Sequence, residues 1–217
     1  MTRVLHILDH SLPLHSGYTF RTRAILKSSQ SAGIEVCGIT GNRHLAQGPP
    51  VETVDGLTFH RTATRLSSPP IIREWQEIEA LRAGIERVAK EWRPDIIHAH
   101  SPALCGMAGL RAARRLGVPF VYEIRAFWED AAVGNGTGSE GSIKYRLTRA
   151  LENAVVERAD AVFTICKGLR DDLIARDFAP EKIGISPGAH ALGAAQHERA
   201  VEMRQLARGQ EEIIPRI

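Results

Sequence analysis

The strongest constraint on this chain is a regular alternation of short apolar runs with longer amphipathic stretches, punctuated by glycine and proline. Val4-Leu5-His6-Ile7-Leu8 reads as a buried first strand. Tyr18 to Ala32 reads as a helix that Gly33 ends. Ile34 to Thr40 is a second strand. Val51–Val54 and Leu57–His60 flank Asp55-Gly56, a dipeptide suited to a two-residue hairpin turn because both central residues need positive φ.

Ile71, Trp75, Ile78, Leu81, Ile85, Val88 and Trp92 recur every three or four residues, which predicts an amphipathic helix that stops before Pro94. Asp95 to His100 is the next strand, with Ser101 as N-cap and Pro102 as first residue of a helix that Gly117 closes. Pro119 to Ile124 is a strand. Residues 125–141, with Gly134, Gly136, Gly138 and Gly141, break the rhythm as a long glycine-rich loop, a kind that is usually functional or mobile. Ile143, Leu147, Leu151, Ala154 and Val155 mark a helix. Ala161–Ile165 is a strand, Leu169–Arg176 a short helix and Ile183–Ser186 a last strand.

Strands that alternate with helices cannot be joined by hairpins, so the order predicts an α/β fold: a Rossmann-like, doubly wound, mainly parallel sheet with helices on both faces. Residues 1–188 are expected to form one domain. Residues 189–217 are an atypical, partly helical tail, with a helix from His197 to Arg208.

Composition removes several classes. Lys+Arg total 28 and Asp+Glu 25, a surplus of +3 that is too small to argue for nucleic acid. Cys37, Cys105 and Cys166 lie far apart in apolar surroundings, form no CxxC, and are expected to be buried reduced thiols. No stretch approaches the roughly 18 apolar residues of a membrane span, and the first run is too short for a signal peptide. The expected location is the cytoplasm, so the Asn135-Gly136-Thr137 sequon is disregarded. Arg61, Arg65, Arg73, Arg82, Arg87, Lys90 and Arg93 are the candidates for peripheral membrane contact. Glu74, Glu77, Glu79, Glu86 and Glu91 dilute that run, which reads better as a solvated face.

In a doubly wound sheet, ligands bind beyond the carboxyl ends of the strands. Four places qualify. His15-Ser16-Gly17 follows the first strand, and a glycine at a helix start lets an anion approach backbone N–H groups. Gly17 also reads as a plain turn residue, and neither G-x-G-x-x-G nor G-K-[ST] occurs. That absence argues against a nicotinamide-dependent enzyme. His98 and His100 share one strand face. His98 suits a core position, and His100 ends the strand facing the crevice. A metal pair fits that spacing, but no carboxylate stands at a helpful distance. Tyr122 to Asp130 runs a strand into Arg125, two aromatics and acids. Arg125 suits a carboxylate, a phosphate or sugar hydroxyls, or a structural pair with Glu123 or Glu129. Lys167 follows another strand and reads equally as a surface lysine.

Taken together, Arg3–Asp9, His15–Arg23, Asp95–His100, Tyr122–Asp130, Ala159–Ala161 and Ile183–Gly188 resemble, in order and spacing, the N-terminal half of a GT-B glycosyltransferase of family 4. The group most similar is the one associated with exosortase and exopolysaccharide loci in bacteria. The resemblance implies two Rossmann-like domains across a cleft, the first mainly for the acceptor and the second for the nucleotide-sugar. It implies retention of anomeric configuration, no metal and no cofactor beyond the donor substrate. By similarity, Gly17 would lie against the donor diphosphate or transferred sugar, and Ser16 beside it is expected in the substrate-binding set. His100 would sit beside the reacting sugar as the catalytic residue. Arg125, with Glu123 behind it, would line the acceptor side, and Lys167 joins the substrate-binding set.

Two departures stand out. Gly188 follows Pro187 where the family usually has asparagine, and the donor-binding second domain is expected to be missing. The first reading is therefore an enzyme half that transfers a sugar to a glycan or lipid-linked acceptor once a donor-binding domain completes it, in cis or in trans. The alternative is a catalytically inactive module that binds a glycan or partner, with self-association through the face left for the second domain.

Overall fold

The apolar runs become strands of one sheet, and the amphipathic stretches become its covering helices. The computed structural model describes residues 1–46, 48–62, 64–66 and 69–186. In chain order these form β1 (Arg3–Leu8), α1 (Gly17–Ser31), β2 (Glu35–Thr40), β3 (Val51–Val54), β4 (Leu57–Arg61), α2 (Pro70–Trp92), β5 (Ile96–His100) and α3 (Ala103–Leu116). Then come β6 (Phe120–Ile124), α4 (Trp128–Gly134), α5 (Ile143–Arg158), β7 (Ala161–Thr164), α6 (Lys167–Ala175) and β8 (Ile183–Ile185).

The eight strands run β3-β4-β2-β1-β5-β6-β7-β8. Every neighbouring pair is parallel except β3–β4, the Asp55-Gly56 hairpin on the edge. Asp55 and Gly56 take φ of 54° and 67°, the conformation the turn requires. The chain leaves β1 toward β2 on one side and later returns to β5 on the other. The switch point therefore lies between β1 and β5, where carboxyl ends diverge and leave a crevice.

Strand alternation divides the core. Leu5, Ile7, Ile97, Ala99, Phe120 and Tyr122 pack with residues of α2, α3 and α5 on one face. Val4, Leu8, Ile96 and Val121 belong with Leu26 of α1 on the other. His6, His98, His100 and Glu123 share the alternation of this second face.

Gly106 lets α3 sit close on the sheet. A Cβ there would come within 2.7 Å of the Tyr122 ring and 2.9 Å of the Val155 side chain. Gly106→Val is expected to cost about 2 kcal/mol through overpacking, read as a lower urea midpoint. An unchanged midpoint would mean that α3 lifts off the sheet without cost.

Three expectations need correction. Ser101 does not cap α3. The helix begins at Ala103 after a cis Ser101-Pro102 peptide. Ser101 N–H still donates to the Glu123 carbonyl at 2.8 Å, so the ladder to β6 extends one residue further and holds Ser101 out of the cap. Residues 125–141 are not all loop, because α4 forms from Trp128 before the glycines begin, with Glu129 and Asp130 in its first turn. Cys166 is exposed, not buried, because the chain leaves the sheet there to start α6. Gly188 and the helix expected from His197 to Arg208 lie outside the described residues.

Candidate functional site

Two polar networks meet at the carboxyl ends of β1, β5 and β6. The first lies beneath α1 and is centred on Arg125, whose side chain is 7% exposed. Its Nε donates to Glu123 Oε1 at 2.9 Å, and one terminal nitrogen donates to His100 Nδ1 at 2.7 Å. The other donates to the Tyr18 carbonyl at 3.0 Å and to Thr22 Oγ1 at 2.8 Å. The guanidinium also lies 4.2 Å over the Tyr18 ring. Arg21 approaches Glu123 Oε1 from α1 at 3.2 Å and donates to the Ser186 carbonyl at 2.6 Å. His100 Nε2 stands 2.9 Å from His6 Nδ1.

These contacts set the charge states. Burial alone would raise the Glu123 carboxyl, but the Arg125 guanidinium, with Arg21 behind it, holds it well below the usual carboxylate range. Burial and the adjacent Arg125 push His100 down to about 4, so its ring is neutral at pH 7. An arginine can only donate, so His100 Nδ1 accepts and the ring proton sits on Nε2, aimed at His6 Nδ1.

That proton decides a second question. His6, His98 and His100 bring ring nitrogens within 4.8 Å of one another, a spacing that could hold a metal ion. A cation would have to displace the shared proton and sit beside the Arg125 charge. The residues present do not favour one.

The second network shapes the start of α1. His10 Nδ1 meets Asp9 Oδ2 at 2.9 Å, and His10 Nε2 meets Ser16 Oγ at 2.7 Å. Ser16 caps the helix, its Oγ accepting the Thr19 N–H at 3.1 Å. Asp9 N–H donates to the Tyr18 hydroxyl at 3.1 Å. Tyr18 thus joins the two networks, with Arg125 on its ring face and Asp9 at its hydroxyl. Gly17 opens α1 with nothing within 4 Å of where a Cβ would be, so solvent or a ligand reaches the first amides. Ser16→Ala is expected to lower stability by about 1 kcal/mol, and Ser16→Asn to recover most of that. Equal losses in both variants would assign the effect to packing instead of capping.

On the opposite face a small crevice is lined by Leu8, Asp9, Gly41, Arg43, Glu77, Leu81, Leu104 and Cys105. Arg43 Nε bonds Glu77 Oε1 at 2.9 Å and lies 3.9 Å from Asp9 Oδ1.

Of the residues singled out from sequence, His100, Glu123 and Arg125 come together in one network, and Ser16 and Gly17 stand beside it at the helix start. His100 does not face the crevice openly. It is fully buried, because His6 and Arg125 close on both ring nitrogens. His98 is a buried core histidine whose ring stacks 4.3 Å from that of His100. Lys167 stays apart at the start of α6, 79% exposed and paired with Asp171 at 2.5 Å. Sequence reasoning missed His6, Asp9, His10 and Arg21. The available signal was His6 itself, a lone imidazole inside an apolar strand, which pairs in register with His98.

Comparison with known proteins bears on this arrangement. The family described as glycosyl transferase 4-like domain matches residues 16–188. A GDP-mannose-dependent alpha-mannosyltransferase of Mycolicibacterium smegmatis is 29% identical over 178 residues, covering 80% of this chain and 44% of that protein. A protein of the same description from Mycobacterium tuberculosis is 29% identical over 124 residues, 55% of this chain and 31% of that one. The chain therefore spans less than half the length of these curated relatives. Sucrose-phosphate synthase from Thermosynechococcus elongatus superposes with a TM-score of 0.62 at 15% identity, covering 86% of this chain and 47% of that one. That likeness establishes the fold alone, an α/β architecture like the N-terminal domains of GT-B enzymes. With the match running from the cap of α1 past the end of β8, this chain belongs to the glycosyl transferase 4-like domain family.

Proposed function

We propose that this chain is the acceptor-side half of a retaining, family 4-like glycosyltransferase. With a donor-binding half it would move a sugar from a nucleotide-sugar to a glycan or lipid-linked acceptor. The observation that carries the reading is the family match laid over the β1–β5 switch point, where the open Gly17 amides and the His100–Arg125–Glu123 network converge. Transfer needs the leaving diphosphate stabilised by fixed charges or dipoles. The free amides at the start of α1 supply part of that, and the basic residues of a donor half would supply the rest.

The mannosyltransferase relatives favour GDP-mannose as donor, and the sequence resemblance favours an exopolysaccharide acceptor. In this reading His100 and Arg125 act by holding the crevice wall in one charge state. Their nitrogens are already committed within the protein, so the groups left to meet sugar hydroxyls are those at the rim. The commitment of His100 also favours the second reading, glycan binding without transfer.

A thermal-shift screen of the chain tests the binding half of the proposal. A ligand at 100 times its dissociation constant adds roughly 2.7 kcal/mol. Acceptor-type glycans are expected to raise the midpoint, and GDP, UDP or ADP sugars to do so less. Stabilisation by nicotinamide dinucleotides alone would overturn it.

A further inference from the structure

We propose that the first half of α5 is a docking surface for an anionic lipid bilayer. Ile143 is 78% exposed and Leu147 53% exposed, and Ala150 is also exposed. At about 100° per residue these three fall within an arc of about 60° on one side of the helix. Arg146 borders that arc on one edge and Lys144 lies beyond the other, with Arg149 further round. All three cations are exposed. From Ile143 to Leu151 the helix carries no acid, and its first carboxyl, Glu152, is buried. The described ion pair on α5 is at its far end, between Arg158 and Glu157.

A helix that shows an apolar stripe with cations at both borders suits the interface of a bilayer. Side-chain stems reach over the acyl boundary while charges meet phosphates. The charge of α5 is unbalanced along this half, which fits an anionic surface and gives a neutral protein partner no advantage. The basic run from Arg61 to Arg93, which the sequence offered as a candidate but which reads better as a solvated face, is a poorer fit. On α2, Arg82 lies between Glu79 and Glu86, and on β4, Arg61 is held by Glu52.

The surface also has a useful place. Tyr145 ties α5 to α4 through Asp130 at 2.8 Å, and α4 begins three residues after Arg125. Tyr145 lies on the side of α5 away from the apolar stripe, so the docked helix would reach the acceptor side of the crevice through α4. That last step rests on the transferase reading, whereas binding to lipid does not.

Sedimentation with phosphatidylcholine vesicles, with and without phosphatidylglycerol, tests the proposal independently of any transfer activity. The chain is expected to sediment with the anionic vesicles, to do so less as salt rises, and to stay in solution with phosphatidylcholine alone. Each cation near such a surface is worth about fivefold, so Arg146→Gln with Arg149→Gln should weaken binding about 25-fold. Leu147→Asp should abolish it. Arg87→Gln with Lys90→Gln on α2 should leave it unchanged. These positions are exposed or partly so, and an unchanged circular dichroism spectrum checks that the variants fold. Absence of sedimentation, or equal loss in the α2 variant, overturns the proposal. So does a Leu147→Asp variant that turns a dimer into a monomer and leaves lipid binding as it was.

Discussion

Replacing Arg125 by alanine is expected to destabilise the chain by about 3–5 kcal/mol, the usual loss when one partner of a buried ion pair is removed. Glu123 is fully buried and would be left with the more distant, partly exposed Arg21 as its described arginine partner. His100 Nδ1, the Tyr18 carbonyl and Thr22 Oγ1 would lose the guanidinium's hydrogen bonds together, although the Tyr18 carbonyl keeps the Thr22 hydroxyl. In a chain of this size the melting midpoint should fall by roughly 6–20 °C. Arg125→Lys should recover only part, since a single ammonium cannot span the four directions that the guanidinium fork serves. Glu123→Gln added to Arg125→Ala should recover more, because it removes the stranded charge. The pH profile gives a second check. The folded-state pKa of Glu123 is depressed, so its contribution is present at neutral pH and is lost as pH falls below the ordinary carboxylate range. Arg125→Ala should flatten that acid limb. A loss under about 1 kcal/mol would contradict the buried charge network.

Glu152→Gln is expected to act in the opposite direction. Burial raises the Glu152 carboxyl from the ordinary 4.5 to about 8. The Tyr122 hydroxyl opposes that shift, Glu129 adds to it and Arg176 opposes it again. Below about pH 4.5 folded and unfolded chains both hold the proton. As pH rises past that value the unfolded chain ionises while the folded one keeps its proton until about 8. Stability therefore falls across this window and levels off above it. At about 1.4 kcal/mol per unit, the cost at pH 7 is on the order of 3 kcal/mol. The glutamine variant carries no such proton, so its midpoint should exceed the wild type by roughly 6–12 °C at pH 7 and match it at pH 4. Parallel pH profiles would show that Glu152 ionises freely in the folded chain.

The fold was legible because its signals are local. Period-two and period-3.6 apolar patterns fell on the strands and helices within a few residues, and Asp55-Gly56 marked the hairpin. What escaped depended on contacts distant in sequence or on competing local signals. The glycines from Gly134 onward masked α4, although its acidic first turn was present. Ser101 looked like a cap because its tie to Glu123 crosses to another strand. The site was partly legible for the same reason. Alternation placed His98 and His100 on one face, and Glu123 stood visibly beside Arg125. The partners that give these residues their charge states, His6 at 94 residues from His100 and Arg21 at 102 from Glu123, emerge only once β1 lies beside β5 and α1 covers them. Asp9 and His10 are adjacent in sequence, yet their role at the start of α1 needs the loop to fold back onto Ser16.

The most direct test joins residues 1–186 to the part of the Mycolicibacterium smegmatis relative that lies outside its match to this chain, and follows mannose transfer from GDP-mannose to a glycan or lipid-linked acceptor. The prediction is transfer with retention by the joined protein and none by either half alone. If the joined protein folds but stays inert with GDP-, UDP- and ADP-sugars, while the intact relative works in the same assay, the acceptor-side role is contradicted and the binding-module reading takes its place.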